Sequence, residues 1–205
     1  MTASDARDLG PLRNVSRETR DKLELYADRL DTWSRRINLV SPKTLPEKWR
    51  RHFADSAQLC ELAPEGVHTW ADLGSGGGFP GLVVSLLRPE VTVTLIESDK
   101  RKATFLRGII RETGANAHVL AERIEHAMPQ GADVVSARAL APLDRLVAYA
   151  VRHLGPDGTT LFLKGRQFRS ELQEALESWR FDCKTTPSRT ETGAVILTLT
   201  EITRV

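Results

Sequence analysis

Cysteine is scarce in this chain of 205 residues, with only Cys60 and Cys183, far apart in sequence. Neither has a second Cys or a His at metal-ligand spacing, so both are expected as reduced thiols packed like small apolar residues. The five histidines, His52, His68, His118, His126 and His153, are equally scattered, and no metal is expected. Net charge is also small, formally +2, so any attraction to nucleic acid must come from local clustering. No apolar run approaches the roughly 20 residues of a membrane-crossing helix. The first ten residues, MTASDARDLG, contain no hydrophobic signal region, and a cytoplasmic protein with no membrane partner is expected. The length suffices for one sizeable core plus an extension, not for two full domains.

What the chain does have is a concentrated glycine turn at residues 69–81, TWADLGSGGGFPG. An apolar run ends at Asp72-Leu73, glycines follow, and a new apolar segment opens at Leu82. That is the pattern of a strand, a tight turn and a helix. Gly74, Gly76, Gly77 and Gly78 are expected to supply positive φ and to let a flat ligand lie against bare main chain, with Ser75 inside the same turn. Pro80 suits the first turn of the helix. The next apolar run, 91–96, is rich in β-branched residues and ends in Glu97. A carboxylate there is placed to take both hydroxyls of an adenosine ribose, the alternative being a cap for the helix near Asp99. Two registers are open. Gly76, Gly78 and Gly81 give the G-x-G-x-x-G of dinucleotide folds but put Phe79 and Pro80 where a pyrophosphate needs free amides. Gly74, Gly76 and Gly78 turn directly after the strand and suit S-adenosylmethionine, which has no phosphate.

Residues 1–16 are polar, with a break at Gly10-Pro11, and are expected to be loosely ordered. From Ser16, Leu23, Tyr26, Ala27, Leu30, Trp33 and Ile37 form one apolar stripe of a helix. A second helix is expected at 46–62. Arg35, Arg36, Lys43, Lys48, Arg50 and Arg51 cluster around the junction, which points to a nucleic-acid contact or to a solvated face. Beyond residue 65, strands are expected at 69–73, 92–97, 117–120, 134–137 and 160–164. Helices are expected at 80–87, 100–113, 123–127, 143–152 and 169–179. This alternation argues for a parallel sheet covered on both faces, with all strand carboxyl ends on one edge. Two β-rich runs, 181–186 and 194–202, should close the sheet as an antiparallel hairpin. The expected architecture is thus an N-terminal helical extension, 1–65, and a core, 66–205, similar to the class I S-adenosylmethionine-dependent methyltransferase fold (α/β, Rossmann-like).

Some methyl-transfer chemistries are excluded by absence. Methylating a pyrimidine carbon needs a cysteine in the crevice. Exocyclic-amine families carry an Asn/Asp-Pro-Pro-aromatic tetrapeptide where this chain reads Ser136-Ala137-Arg138-Ala139. A ring nitrogen such as guanine N7 needs no general base, only alignment and charge management.

Asn38-Leu39, the run Arg51-His52-Phe53-Ala54-Asp55-Ser56, the glycine turn, Ser136-Ala137-Arg138-Ala139 and Leu163-Lys164-Gly165 together resemble the small-subunit ribosomal RNA guanine-N7 methyltransferase G family, also called glucose-inhibited division protein B. The resemblance covers the chain from residue 20 onward. It implies cofactor contacts from Gly74, Phe79, Ile124, Glu125 and Arg138, and a guanine near the decoding centre of 16S rRNA, free or in the small ribosomal subunit, as substrate. Arg138 is placed to bind the methionyl carboxylate or RNA phosphate, or to form a structural salt bridge. His52, Asp55 and Ser56 are expected on one helix face, packing the extension on the crevice and helping to place the base. Lys164, Arg166 and Arg169 would add a basic rim to the RNA contacts of Arg35, Arg36, Lys48 and Arg51. A monomer is expected. A class I methyltransferase of small molecules or proteins, and a non-catalytic RNA-binding module, remain alternatives.

Overall fold

The computed structural model describes residues 10–205. Ser16 opens the first helix, α1 (Arg17–Ser34), its hydroxyl accepting from the Thr19 amide at 3.1 Å. After a 3-10 turn at Leu45–Glu47 and a π-helical turn at Trp49–Ala54 comes α2 (Asp55–Leu62). The core then runs β1 (Thr69–Leu73), α3 (Gly81–Leu87), β2 (Thr92–Ile96), α4 (Lys100–Thr113), β3 (Ala117–Leu120) and β4 (Ala132–Arg138). It ends with α5 (Leu143–His153), β5 (Leu154–Lys164), α6 (Phe168–Ser178), β6 (Trp179–Pro187) and β7 (Val195–Arg204).

The seven strands form one sheet in the order β3-β2-β1-β4-β5-β7-β6. The first five are parallel, and β7 runs antiparallel to both β5 and β6, which is the expected terminal hairpin. Because side chains alternate along a strand, neighbours face opposite layers. Trp70, Val134 and Leu161 pack under the extension, α3 and α4, whereas Ala71, Val135 and Phe162 pack under α5 and α6. Leu23, Tyr26, Leu30 and Phe53 of the extension share the first of these clusters with Trp70, Leu82 and Phe105. The extension and the sheet therefore bury one continuous apolar core.

The register brings Leu73 opposite Ala137, Arg138 opposite Leu163, and Lys164 opposite Val195. Since β7 starts where β5 ends, the loop at 188–194 emerges on the same edge as the carboxyl ends of the parallel strands.

Several local expectations differ from what is seen. Of the segment expected to be loosely ordered, residues 1–9 lie outside the described residues, but Gly10–Asn14 form a 3-10 turn with Leu12 buried in the core. The segment at 46–62 is not one α-helix: three consecutive residues, His52, Phe53 and Ala54, are buried in the π-helical turn. The wider turn sets Phe53 edge-on to both Tyr26 and Phe79. Residues 123–127 form only a turn, closed by the Ala127 amide on the Arg123 carbonyl at 2.9 Å, too short to nucleate a helix. Cys183 is exposed on β6 and not packed as an apolar residue, because that strand is the outer edge of the sheet.

Candidate active site

The glycine loop is tied down on three sides. From β2, the Ile96 carbonyl accepts from the amides of Gly74 (2.9 Å) and Ser75 (3.1 Å). The Glu97 carboxylate accepts from the Gly76 amide at 2.8 Å with one oxygen and from the Asp99 amide at 2.7 Å with the other. From α1, the fully buried Tyr26 donates its hydroxyl to the Gly77 carbonyl at 2.5 Å and stacks on Phe79, ring centres 5.3 Å apart. Gly77 does not have the expected positive φ; Gly74, Gly76 and Gly78 do. The glycines have different reasons. At Gly78 a Cβ would lie 2.4 Å from the Tyr26 hydroxyl, so packing against α1 demands glycine there. At Gly76 the nearest atom to an added Cβ is the Gly74 carbonyl oxygen at 3.8 Å, and a side chain would project into open space. That open main chain is what a flat ligand needs.

Beneath the loop lies a buried relay. Trp70 donates its indole N–H to the Ser136 hydroxyl (2.9 Å), which donates to Asp72 Oδ1 (2.7 Å). Burial pushes the Asp72 carboxyl up to about 6, against the opposing pull of the Ser136 hydroxyl. The relay ties the ends of β1 and β4, and with them the glycine loop and Arg138.

A cavity of about 770 Å³ opens at this edge, within the range of roughly 300–1,000 Å³ common for small-molecule sites. Gly74, Ser75, Gly76 and Phe79 form part of its wall, together with His52, Asp55 and Arg138. Arg138 donates from Nη1 to the Arg51 carbonyl at 2.9 Å, stands 3.7 Å from Asp55 Oδ2, and carries its guanidinium 5.1 Å over the Phe79 ring. The salt bridge weighed for Arg138 is therefore present, in its loose form, and its remaining N–H groups belong to a residue lining the cavity. His52 is buried against Thr44 and Phe79. Thr44 donates its only hydroxyl proton to the Ser41 carbonyl (2.9 Å), so it accepts from His52 Nε2 at 2.9 Å. The imidazole is then the Nε2–H tautomer, and its Nδ1 has no partner. Burial first, then the charges of Arg138 and Arg51, lower the His52 pKa to about 3. Ser56, expected on the same face, is fully buried and lies outside the cavity wall.

Gly78, Glu97, Ile124 and Glu125 also lie outside that wall. Ile124 is buried, with its carbonyl 3.0 Å from His153 Nε2, and Glu125 is exposed. Glu97 is buried at the strand end, and one oxygen holds the Asp99 amide at the start of α4, which matches the capping alternative weighed for it. Burial raises the Cys60 thiol to about 12, and neither cysteine lines the cavity.

The predicted cations divide into two groups. Lys164 is not on an exposed rim: its ammonium pairs with Glu171 and donates to the Ala141 carbonyl at 3.0 Å, and its side chain is only 9% exposed. Lys48 pairs with Asp31 and Arg51 with Glu191, both at 2.9 Å. Arg35, Arg36, Arg166 and Arg169 are exposed and carry no carboxylate partner among the described residues. Sequence reasoning missed Tyr26 as the loop's clamp, Lys102 in the cavity wall, and the 188–194 loop, which lines the cavity with Ser188, Glu191 and Ala194. The Ser188-x-Thr190 pattern in a polar hairpin loop was the only available signal for the last.

Comparison with known proteins completes the picture. Among solved structures, a predicted O-methyltransferase of Agrobacterium tumefaciens is similar with a TM-score of 0.60 at 21% identity, covering 71% of this chain and 80% of that one. A mutant of MtNAS in complex with S-adenosylmethionine gives a TM-score of 0.58 at 14% identity, over 89% and 75%. These likenesses place the fold in the class I methyltransferase group. A ribosomal RNA small subunit methyltransferase G of Parvibaculum lavamentivorans is 52% identical over 199 residues, 94% of this chain and 88% of the relative. The protein of the same description from Rhodospirillum centenum is 53% identical over 189 residues, 92% and 87%. With residues 19–195 also matching the family description, the chain belongs to the GidB family, rRNA small subunit methyltransferase G.

Proposed function

We propose that the protein transfers a methyl group from S-adenosylmethionine to N7 of a guanine in 16S rRNA, acting in the cytoplasm as a monomer. The observation that carries this reading is the match of residues 19–195 to a family described by rRNA small-subunit methylation. The cavity is compatible with it in size and chemistry, since its wall is bare main chain at Gly76.

S-adenosylmethionine, when bound, supplies an electrophilic methyl group on a sulfonium. The residues of this chain have the tasks of binding and alignment. Glu97 holds the loop with one lone pair of each oxygen, leaving a second on each for the ribose hydroxyls. Ile124 and Glu125 sit on the β3 side, where the adenine would lie. Phe79 and Arg138 would lie between the donor's methionyl end and the acceptor base, with the guanidinium N–H groups turned to either. A guanine N7 would bring its own lone pair to that methyl group, so what these residues would supply is alignment. No proton leaves N7, so no general base is needed, and a His52 held neutral adds no positive charge beside the purine. Residues 66–205 then carry the donor, while the extension and the 188–194 loop wall the acceptor side. Arg35, Arg36, Arg166 and Arg169 are left to grip RNA phosphates.

The test is transfer of labelled methyl to small subunits and to their naked RNA. Label on the RNA is expected; label confined to small molecules or proteins, or absent altogether, contradicts the reading.

A further inference from the structure

One carboxylate in the cavity has two unlike oxygens. Asp55 Oδ1 is saturated: the Thr190 hydroxyl donates to it at 2.5 Å, Gln58 Nε2 at 3.1 Å, and the Ser188 hydroxyl stands at 3.4 Å. Oδ2 accepts no hydrogen bond from any described residue; its nearest cation, Arg138 Nη1, lies at 3.7 Å, beyond hydrogen-bond reach. The side chain is only 15% exposed, and the residue lines the cavity. Oδ2 is not among the fully enclosed oxygens that lack a partner, so it opens on the cavity and is free to accept. Here the missing donor can arrive only through the cavity.

The supports of Oδ1 also fix the direction of Oδ2. Gln58 is held in turn by the Arg189 amide, which donates to its Oε1 at 2.7 Å, and the same loop is pinned by the Arg51–Glu191 ion pair at 2.9 Å. Two elements outside the strand-helix alternation, α2 and the 188–194 loop, thus converge to aim one acceptor. Beside it stands a guanidinium with N–H groups to spare.

An acceptor next to a donor complements the Watson–Crick edge of guanine, where N1–H and the exocyclic N2–H₂ donate and O6 accepts. Adenine offers the reverse, and its N1 lone pair would face the carboxylate. Reading that edge leaves N7, on the opposite side of the purine, free to meet a methyl group.

Resting on the function proposed above, we infer that Asp55 is the residue that selects guanine: its Oδ2 accepts from N1–H and N2–H₂ of the target base, and Arg138 donates to O6.

The test compares small subunits assembled on rRNA bearing guanosine or inosine at the methylated position, inosine lacking only the N2 amine. Wild type should lose about tenfold or more in kcat/KM on inosine, the size expected for a hydrogen bond to a charged group. Asp55→Asn should be slower on guanosine by a similar factor and should show no further inosine penalty. A variant that merely disturbs structure would keep that penalty. If Asp55→Asn does not fold, Thr190→Val, which frees Oδ1, should shrink the penalty instead. Equal rates on both bases in wild type, or a full inosine penalty persisting in a folded variant, overturn the inference. No transfer to guanosine by wild type is a different failure, that of the underlying function.

Discussion

At His52, burial and the nearby guanidiniums of Arg138 and Arg51 act in the same direction and hold the folded-state pKa near 3, against 6.5 for a free imidazole. A depressed folded-state value means that the neutral ring's contribution to stability is complete above pH 6.5 and is lost as pH falls toward 3. Each unit is worth about 1.4 kcal/mol. His52→Phe should therefore be less stable near neutrality, where it loses the Thr44 bond, yet should lose less stability on acidification. Urea midpoints measured from pH 7 to 4 check this, and parallel profiles would refute it. Gly76 and Glu97 make a second residue-scale case. Gly76→Arg puts a side chain where the open main chain now faces the cavity, and it should abolish S-adenosylmethionine binding in calorimetry while costing about 1–2 kcal/mol of stability for its positive φ. Glu97→Ala should cost at least about 1–3 kcal/mol of cofactor binding, because it removes the loop's clamp along with the ribose acceptor. Unchanged affinity in either variant would contradict the placement. Both residues were legible in sequence because turn and strand end are local features. Tyr26 was legible only as one member of an apolar stripe, since its bond to Gly77 spans 51 positions.

At the scale of elements, the connection after β4 departs from an unstrained path. Ala139 takes φ 49°, in the left-handed region that costs a residue with a Cβ about 1–2 kcal/mol, and it lines the cavity beside Arg138. Ala139→Gly should accordingly leave unfolding free energy unchanged or raise it by up to about 1 kcal/mol, as measured by urea titration. A clear loss of stability would show that the strain is absent. β2 and β4 were readable because their β-branched runs are buried on both faces, and the terminal hairpin because no helix separates its strands. The π-helical turn at Trp49–Ala54 was not readable. It sets Phe53 edge-on to Tyr26 and Phe79, two partners on other elements, and against Trp49 of its own turn. The 188–194 loop was hidden for the same reason: its partners Asp55 and Gln58 lie more than 120 positions away.

Over the whole molecule, a formal charge of +2 conceals a division of labour among cations. Lys164 was expected on the RNA rim, and composition could not show that Glu171, seven positions later, neutralises it. Removing the ammonium alone, as in Lys164→Met, leaves the Glu171 carboxylate with only the Leu143 amide and should destabilise the fold by about 1–3 kcal/mol. Arg166→Gln and Arg169→Gln should leave stability almost unchanged, and each should reduce the salt dependence of RNA binding by roughly one unit of the log–log slope. Binding titrations across salt concentrations, paired with thermal melts, separate the two kinds of cation; equal effects on stability would erase the distinction. That the extension packs on the sheet's side of the core was legible, because its apolar stripe has nothing else to pack on; that α1 does so through α3 and α4 had to be seen. The most direct measurement is mass mapping of 16S rRNA after incubation with the protein and S-adenosylmethionine. One guanosine carrying a single new methyl group at N7 is the predicted result. A methyl group on another base or atom, or RNA that returns unmodified while the donor binds, would contradict it.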